Sequence, residues 1–145
     1  MSTTLASDVI PEGFHPFMEA RSDFVLKNGP IYFSNVENPT PIGFRVHADH
    51  CNKANNCHGG WLASIMDIQL AVAATSKAQV DPAMIVTVNL SLDYLTPAPL
   101  GAWVQGEAEV LRRGHKMIFV QGLLYADDVL VMRGNGLFKL TTINS

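Results

Sequence analysis

The chain has 145 residues, 48% of them apolar and 16% charged, which fits one globular domain with a buried core and excludes a disordered protein. The formal net charge of −3 makes a nucleic-acid partner unfavourable, and no run reaches the ~18 apolar residues of a membrane-spanning helix. Two cysteines are too few for a disulfide scaffold, and the N-terminus lacks a signal-peptide pattern. We therefore expect a cytoplasmic protein with reduced thiols and no membrane partner.

The first part of the chain predicts short elements. Residues 11–20 fit a short helix within an N-terminal helical lead-in, residues 1–29. KNGP at 27–30 is a turn signal, and residues 30–35 and 42–48 have the composition of two short strands.

Residues 59–79 predict one long helix. The segment LASIMDIQLAVAATSKAQ contains no proline and is apolar nearly all round, which is typical of a buried helix. Lys77 suits the C-terminal end of the helix dipole, and Asp81-Pro82 ends the helix.

The rest of the chain predicts four long strands. Apolar residues occupy the even positions from 84 to 94 and predict one buried face, and residues 102–112, 116–126 and 129–140 continue as strands. The turn signals TPAPLG, Gly114 and Asp127-Asp128 separate them, so we expect successive strands to pair antiparallel. A sheet with one apolar face and one apolar helix predicts an α+β fold in which the sheet wraps around the helix, as a single domain over residues 1–145.

Asp67 is the only charged residue between His58 and Lys77. A carboxylate in a buried helix costs several kcal/mol unless it is paired, hydrogen-bonded or faces a cavity. Two interpretations stay open: a structural hydrogen bond to a backbone or hydroxyl group, or a catalytic carboxylate in a cleft.

The helix start, His58-Gly59-Gly60, carries a second candidate group. Unpaired N–H groups at a helix N-terminus can polarise a carbonyl, and glycine lets a ligand come close. Asp67 lies eight residues after Gly59, about 12 Å along the axis, so one carbonyl cannot touch both groups of the same helix. Joint action therefore predicts a dimer with its sites at the interface. Small residues at helical spacing from Asp67 leave room there for a ligand or a partner: Gly60, Ala63, Ser64, Ala71 and Ala74.

The spacing of Asn52, His58-Gly59-Gly60 and Asp67, followed by VTVNLSLDYLTPAPLG, resembles the hotdog-fold acyl-CoA thioesterases of the PaaI-like (phenylacetate-degradation) branch. The resemblance covers about residues 30–140. Where several relatives carry glycine, three residues before the histidine, this chain has Asn55, which tolerates the left-handed conformation.

The resemblance implies a hotdog fold, a helix wrapped by an antiparallel sheet, in homodimers or homotetramers with shared sites. It implies hydrolysis of an aryl- or medium-chain acyl-CoA thioester to the free acid and coenzyme A. The Gly59 N–H would polarise the thioester carbonyl, and Asp67 of the other subunit would attack or activate water. His58 and Asn52 would position the reacting groups, and Thr87 would orient the water. We also expect Gly60, Ser64 and Asn89 to contact the substrate. No cofactor is expected, because coenzyme A enters as part of the substrate.

Other residues and functions give further interpretations. The ligand-rich stretch from His47 to His58 lacks regular zinc spacings, so no metal is expected, and Cys57 is a poor candidate nucleophile. The basic hairpin of Arg112, Arg113, His115 and Lys116 either binds coenzyme A phosphates or is a solvated turn. A non-hydrolytic hotdog protein, an acyl-CoA binding protein or a hydratase-dehydratase, stays as the alternative function.

Overall fold

The computed structural model describes residues 9–18, 22–35 and 40–141. The strands are β1 (Phe14–Pro16), β2 (Tyr32–Ser34), β3 (Ile42–Arg45), β4 (Ile85–Tyr94), β5 (Trp103–Arg113), β6 (Met117–Ala126) and β7 (Val129–Leu140). The helices are α1 (Asp23–Asn28) and α2 (Gly59–Ala78), with short 3₁₀ turns at Ala48–His50 and Pro82–Met84. The predicted long helix and four long strands are confirmed to within one or two residues at nearly every end.

All pairings in the seven-stranded sheet are antiparallel, in the order β1-β2-β3-β5-β6-β7-β4. The segment after β4 does not fold back as a hairpin: β5 pairs with β3 and β6, and β4 pairs with β7 at the sheet edge. The prediction that TPAPLG joins two neighbouring strands is therefore wrong. The segment does turn the chain, but it connects β4 at the edge of the sheet to β5, which lies between β3 and β6.

Helix α2 lies in the hollow of the sheet, close to its inner face. Glycines on β5, β6 and β7 allow this approach, because a Cβ at Gly122 would stand 2.9 Å from a Leu70 methyl group and one at Gly134 would stand 2.9 Å from Met66. The buried amide of Gln69 accepts from the Ile42 N–H at 2.8 Å and donates to the Thr40 carbonyl at 3.0 Å. These contacts fix α2 relative to the sheet.

The N-terminal prediction is wrong in part. Residues 14–16 form β1, paired with β2, where a helix was expected over residues 11–20; residues 19 and 20 lie outside the described part. Phe14 packs edge-on against Trp103 at 5.1 Å between ring centroids, so its ring lies on the outer face of the sheet. In the described part of the lead-in, the α-helix is α1, which lies further along the chain.

The predicted buried face of β4 is also wrong in its first half. Val86 and Val88 are each 52% exposed, because the register shifts between Thr87 and Asn89 and leaves Val88 as a bulge. The bulge puts Thr87 on the helix side of the sheet, while Leu90 and Leu92 pack against the core beyond it. The apolar sequence of α2 predicted a helix buried all round. In a single chain one side is buried, and the side carrying Asp67 is only half-buried.

Candidate active site

Helix α2 begins with a cap built by His58. The Nδ1 atom of His58 accepts from the Gly60 N–H at 3.0 Å, and the His58 carbonyl accepts from Trp61 and Leu62. Among the described residues, the Gly59 N–H alone in this first turn has no acceptor. One donor at the positive end of a 20-residue helix is therefore left for a ligand.

The loop before the helix is shaped by Asn52. Its Oδ1 accepts from the N–H groups of Ala54 at 3.0 Å and Asn56 at 3.3 Å, and Asn55 takes the left-handed conformation with φ 59°. Asn55 thus adopts the left-handed conformation expected for it. In a single chain Asn52 organises this loop and does not contact His58, so its proposed role toward the substrate stays a prediction.

Tyr94 contacts the same helix start and was missed at the level of the sequence. Its hydroxyl donates to the Gly59 carbonyl at 2.6 Å, and a Cβ at Gly59 would lie 3.2 Å from its ring. Desolvation, with a smaller contribution from Cys57, raises the pKa of Tyr94, so the hydroxyl stays a donor at neutral pH. Tyr94 therefore holds the peptide that follows the free N–H.

Asp67 faces β4 from the middle of α2. Its Oδ1 accepts a hydrogen bond from the Thr87 hydroxyl at 2.8 Å, and Oδ2 accepts none from the described residues. The Ser64 hydroxyl, one turn earlier, donates to the Gly60 carbonyl at 3.0 Å. The hydroxyl partner considered for Asp67 is present, yet one carboxylate oxygen stays available for chemistry.

Gly59 and Asp67 contact opposite ends of the same strand. Gly59 meets Tyr94 and Asp67 meets Thr87, and those two residues are seven positions apart in β4, up to about 23 Å for an extended strand. Along α2 the separation is about 12 Å. Within one chain, therefore, the free N–H and the carboxylate cannot act on the same carbonyl.

Two adjoining pockets connect these groups to the surface. One, of about 580 Å³, runs beside α2 and contains Asp67 and Ser64. The other, of about 410 Å³, lies at the helix start beside His58 and Gly60. Ser64 and Phe24 line both pockets, so the two form neighbouring parts of one concave surface.

His50 supports the helix start from below. Its ring stacks on Trp61 at 5.3 Å with an interplanar angle of 4°, its Nδ1 accepts from the His47 N–H, and its Nε2 contacts the Asn28 carbonyl. The His50 carbonyl accepts from the His58 N–H at 2.7 Å. Desolvation, the largest influence, lowers the pKa of His50. The sequence placed His50 only within the ligand-rich stretch from His47 to His58, and this supporting role was missed.

The cysteines lie in the same loop without reactive surroundings. Cys51 and Cys57 are free thiols on a backbone bridge, and burial raises the pKa of Cys57 to about 12. A thiol this hard to ionise is a poor nucleophile at neutral pH. In the described ranges no three His, Cys, Asp or Glu side chains are grouped to hold a metal ion.

The remaining predicted residues lie apart from Asp67. Asn89 is exposed and alternates with the inward Leu90, so it faces away from the helix. The basic residues Arg112, Arg113, His115 and Lys116 are exposed at the β5–β6 hairpin. Across the sheet, Arg113 of β5 lies opposite Ile118 of β6, Ile118 lies opposite Phe138 of β7, and Phe138 lies opposite Thr87 of β4. The base of the hairpin is therefore three strand spacings, about 14 Å, from Thr87.

Comparison with known proteins identifies the class. The family model of the thioesterase superfamily matches residues 54–132, more than half of the chain. A Pseudomonas aeruginosa protein whose name proposes an esterase is 30% identical over 132 residues, 90% of this chain and 97% of that protein. The chain therefore belongs to the thioesterase superfamily, and it is a thioester hydrolase by class.

Other known proteins are similar at lower identity or over a shorter stretch. Acyl-coenzyme A thioesterase 13 of Mus musculus is 28% identical over 75 residues, 52% of this chain and 52% of that protein. The PaaI protein of the E. coli phenylacetic acid degradation operon superposes with a TM-score of 0.72 at 21% identity, covering 83% of this chain and 86% of that one. Mouse thioesterase superfamily member 2 gives 0.71 at 22% identity, covering 86% and 92%.

The structural likenesses confirm the predicted hotdog fold, and the family model confirms the predicted thioesterase superfamily. No helix in the described part of the chain is long and apolar enough to cross a membrane.

Proposed function

We propose that this protein is an acyl-CoA thioesterase in which Gly59 of one subunit and Asp67 of another act on the same thioester. The reaction is R–CO–S–CoA + H₂O → R–COOH + HS–CoA. The proposal rests on one observation. Each chain has a free N–H at Gly59 and a half-buried carboxylate at Asp67, but the two are too far apart within one chain to act on one carbonyl.

The Gly59 N–H supplies the electrophilic half of the site. This N–H donates a hydrogen bond to the thioester oxygen and so stabilises the negative charge that develops there when the carbonyl carbon is attacked. The helix dipole adds to this stabilisation. His58 keeps this donor exposed, because its Nδ1 satisfies the neighbouring Gly60 N–H.

Asp67 supplies the nucleophilic half. The Thr87 hydroxyl fixes Oδ1, so Oδ2 is the oxygen that attacks the carbonyl carbon or takes a proton from the attacking water. The C–S bond then breaks, and coenzyme A leaves as the thiolate and takes up a proton. After direct attack, water then hydrolyses the acyl–Asp67 anhydride, which releases the acid and regenerates the carboxylate. Single turnover in ¹⁸O-labelled water tests the routes. Direct attack followed by hydrolysis of the anhydride at the Asp67 carboxyl carbon puts the label in Asp67 and leaves the product acid unlabelled, whereas water activated by Asp67 puts the label in the product acid.

A second copy of the chain completes the site. The edge strand β4 exposes Val86 and Val88, each 52% accessible, next to the half-buried side of α2. An unpaired apolar edge of this kind is suited to pairing with its own copy. A homodimer is thus the minimal active unit, and a homotetramer would join two such dimers through a surface other than this edge.

The basic hairpin is the proposed binding site for the coenzyme A phosphates. Arg113 and Lys116 are exposed near its tip, and the hairpin base lies in register with Thr87 across the sheet. Arg113→Ala and Lys116→Ala should raise KM for an acyl-CoA while leaving kcat nearly unchanged. An unchanged KM in the double variant would assign the hairpin to solubility alone.

Release of free thiol from a panel of aryl- and alkyl-CoA esters tests the function, with wild type and Asp67→Asn assayed side by side. We expect turnover by wild type and a loss of at least about 100-fold in the variant. Binding of acyl-CoA without hydrolysis by wild type would instead favour the non-hydrolytic alternative. Repetition with acyl-carrier-protein thioesters defines the carrier.

A further inference from the structure

The larger pocket is a groove along one stripe of α2. Asp67, Ile68, Ala71, Val72, Thr75 and Ser76 line it at successive helical spacings. From Asp67 to Ser76 the stripe spans nine residue-to-residue steps, about 13 Å along the axis, which is the reach of a straight acyl chain of roughly ten carbons.

The opposite wall comes from the N-terminal part of the chain. Phe24 and Val25 of α1 and Phe33 of β2 face the groove, and Ile85 contributes at the start of β4. Helix α1 is held in place by the Ser22 hydroxyl, which accepts from the Val25 N–H, and by Phe24, whose ring packs against Trp61 at 6.0 Å. The N-terminal lead-in thus forms part of the groove wall.

The described side chains that line the groove are apolar except for Asp67 and a few serine and threonine hydroxyl groups. Among the described residues that line it, Asp67 is the only charged one. A volume of about 580 Å³ is also several times what a single aromatic ring with its linker occupies. An aryl group would fill the end near Asp67 and leave the apolar walls around Ala71 and Val72 in contact with water.

We infer that this groove binds the acyl chain of the substrate and that the preferred acyl group is a straight aliphatic chain of roughly eight to twelve carbons. This inference rests on the proposed function for the position of the thioester beside Asp67. The chain extends from the carboxylate toward the C-terminal end of α2, and α1 closes it from the side.

Binding tests the groove separately from catalysis. In Asp67→Asn, titration calorimetry with butanoyl-, decanoyl- and phenylacetyl-CoA measures affinity whether or not the wild type hydrolyses them. Each buried methylene group contributes about three- to fourfold, so decanoyl-CoA should bind at least about tenfold more tightly than either of the others. Equal affinities, or tighter binding of phenylacetyl-CoA, would overturn the inference.

Blocking variants locate the chain. Ala71→Phe fills the groove about 6 Å beyond Asp67 and should abolish the advantage of decanoyl- over butanoyl-CoA. Ser76 is exposed, so Ser76→Phe tolerates the added ring and should remove only the gain from the longest chains. Ala83→Phe adds the same ring on an exposed turn outside the groove and should leave the chain-length profile unchanged.

The outcomes separate the two proposals. A decanoyl preference in binding that Ser76→Phe leaves intact at every chain length would place the chain elsewhere and overturn the groove assignment. If Ser76→Phe moved the preferred chain length to shorter acyl groups, but the wild type hydrolysed no thioester, the groove assignment would be supported and the proposed function contradicted. Hydrolysis confined to aryl-CoA esters would support the function and overturn the groove assignment.

Discussion

The Thr87 hydroxyl donates to Asp67 Oδ1 at 2.8 Å and so connects the edge strand β4 to the middle of α2. The contact depends on the bulge at Val88, because an unbroken register would put Thr87 and Leu92 on opposite faces of the strand. A local irregularity of the backbone thereby aims one hydroxyl at one carboxylate.

Thr87→Val should remove this hydrogen bond while keeping the shape of the side chain. Loss of a hydrogen bond to a charged group changes energies by about 1.5–3 kcal/mol, so we expect kcat to fall about tenfold or more. Thr87→Ser keeps the hydroxyl and should retain most of the activity. Steady-state kinetics of both variants checks this, and equal activity in Val and Ser variants would show that the hydroxyl is dispensable.

Gly59→Pro should remove the free N–H with little other change. His58 has φ −59° and ψ 135°, which is compatible with a following proline, and proline is favoured at the first position of a helix. Loss of one donor to the developing oxyanion should lower kcat by about 10²–10³.

Gly59→Ala is the matched control for the proline variant. It adds a Cβ 3.2 Å from the Tyr94 ring but keeps the N–H, so it isolates the steric cost of the substitution. We expect it to be much more active than Gly59→Pro. If both variants lost activity equally, the N–H would not be the group that matters.

Tyr94→Phe should test a positioning role. The ring stays, but the hydrogen bond to the Gly59 carbonyl is lost, which should cost about 0.5–1.5 kcal/mol and lower kcat about three- to tenfold with KM little changed. Kinetics and thermal melts on the same samples are the measurement. A lower Tm with an unaltered kcat would assign Tyr94 to stability only.

His50 should make the fold sensitive to acid. Because burial lowers its pKa in the folded state, the unfolded chain binds more protons as the pH falls below about 6.5. The stabilisation is present above that pH and is lost progressively below it. In His50→Gln the difference in Tm between pH 7 and pH 5 should shrink, whereas the exposed His115→Gln should keep the wild-type difference. An unchanged difference in His50→Gln would exclude this histidine as the cause.

The local parts of the fold were predictable from the sequence. Strand β5 follows from the alternation of residues 102–112 and helix α2 from an unbroken apolar segment, and both depend on neighbours a few residues away. The capping of α2 by His58 and the left-handed Asn55 are also local, so the residues around His58 are enough to place the start of the helix.

What could not be predicted depends on contacts between distant segments. Phe14 lies in a strand because Trp103 and β2 are beside it, although its neighbours have helical spacing. The bulge at Val88 interrupts a pattern, Val86 to Tyr94, that alternates without a break in the sequence. Tyr94 and Gly59 are 35 residues apart, and no motif signals their hydrogen bond.

The central claim is that one thioester is handled by Gly59 of one subunit and Asp67 of another. The direct test mixes Gly59→Pro with Asp67→Asn at equal amounts under conditions of subunit exchange and measures thiol release against each variant alone. Half of the dimers are then mixed, and one of the two sites in each carries both native groups, so we expect recovery to about one quarter of the wild-type activity. Activity no greater than the average of the two separate variants, in a sample where mixed dimers are demonstrated, would contradict the shared site.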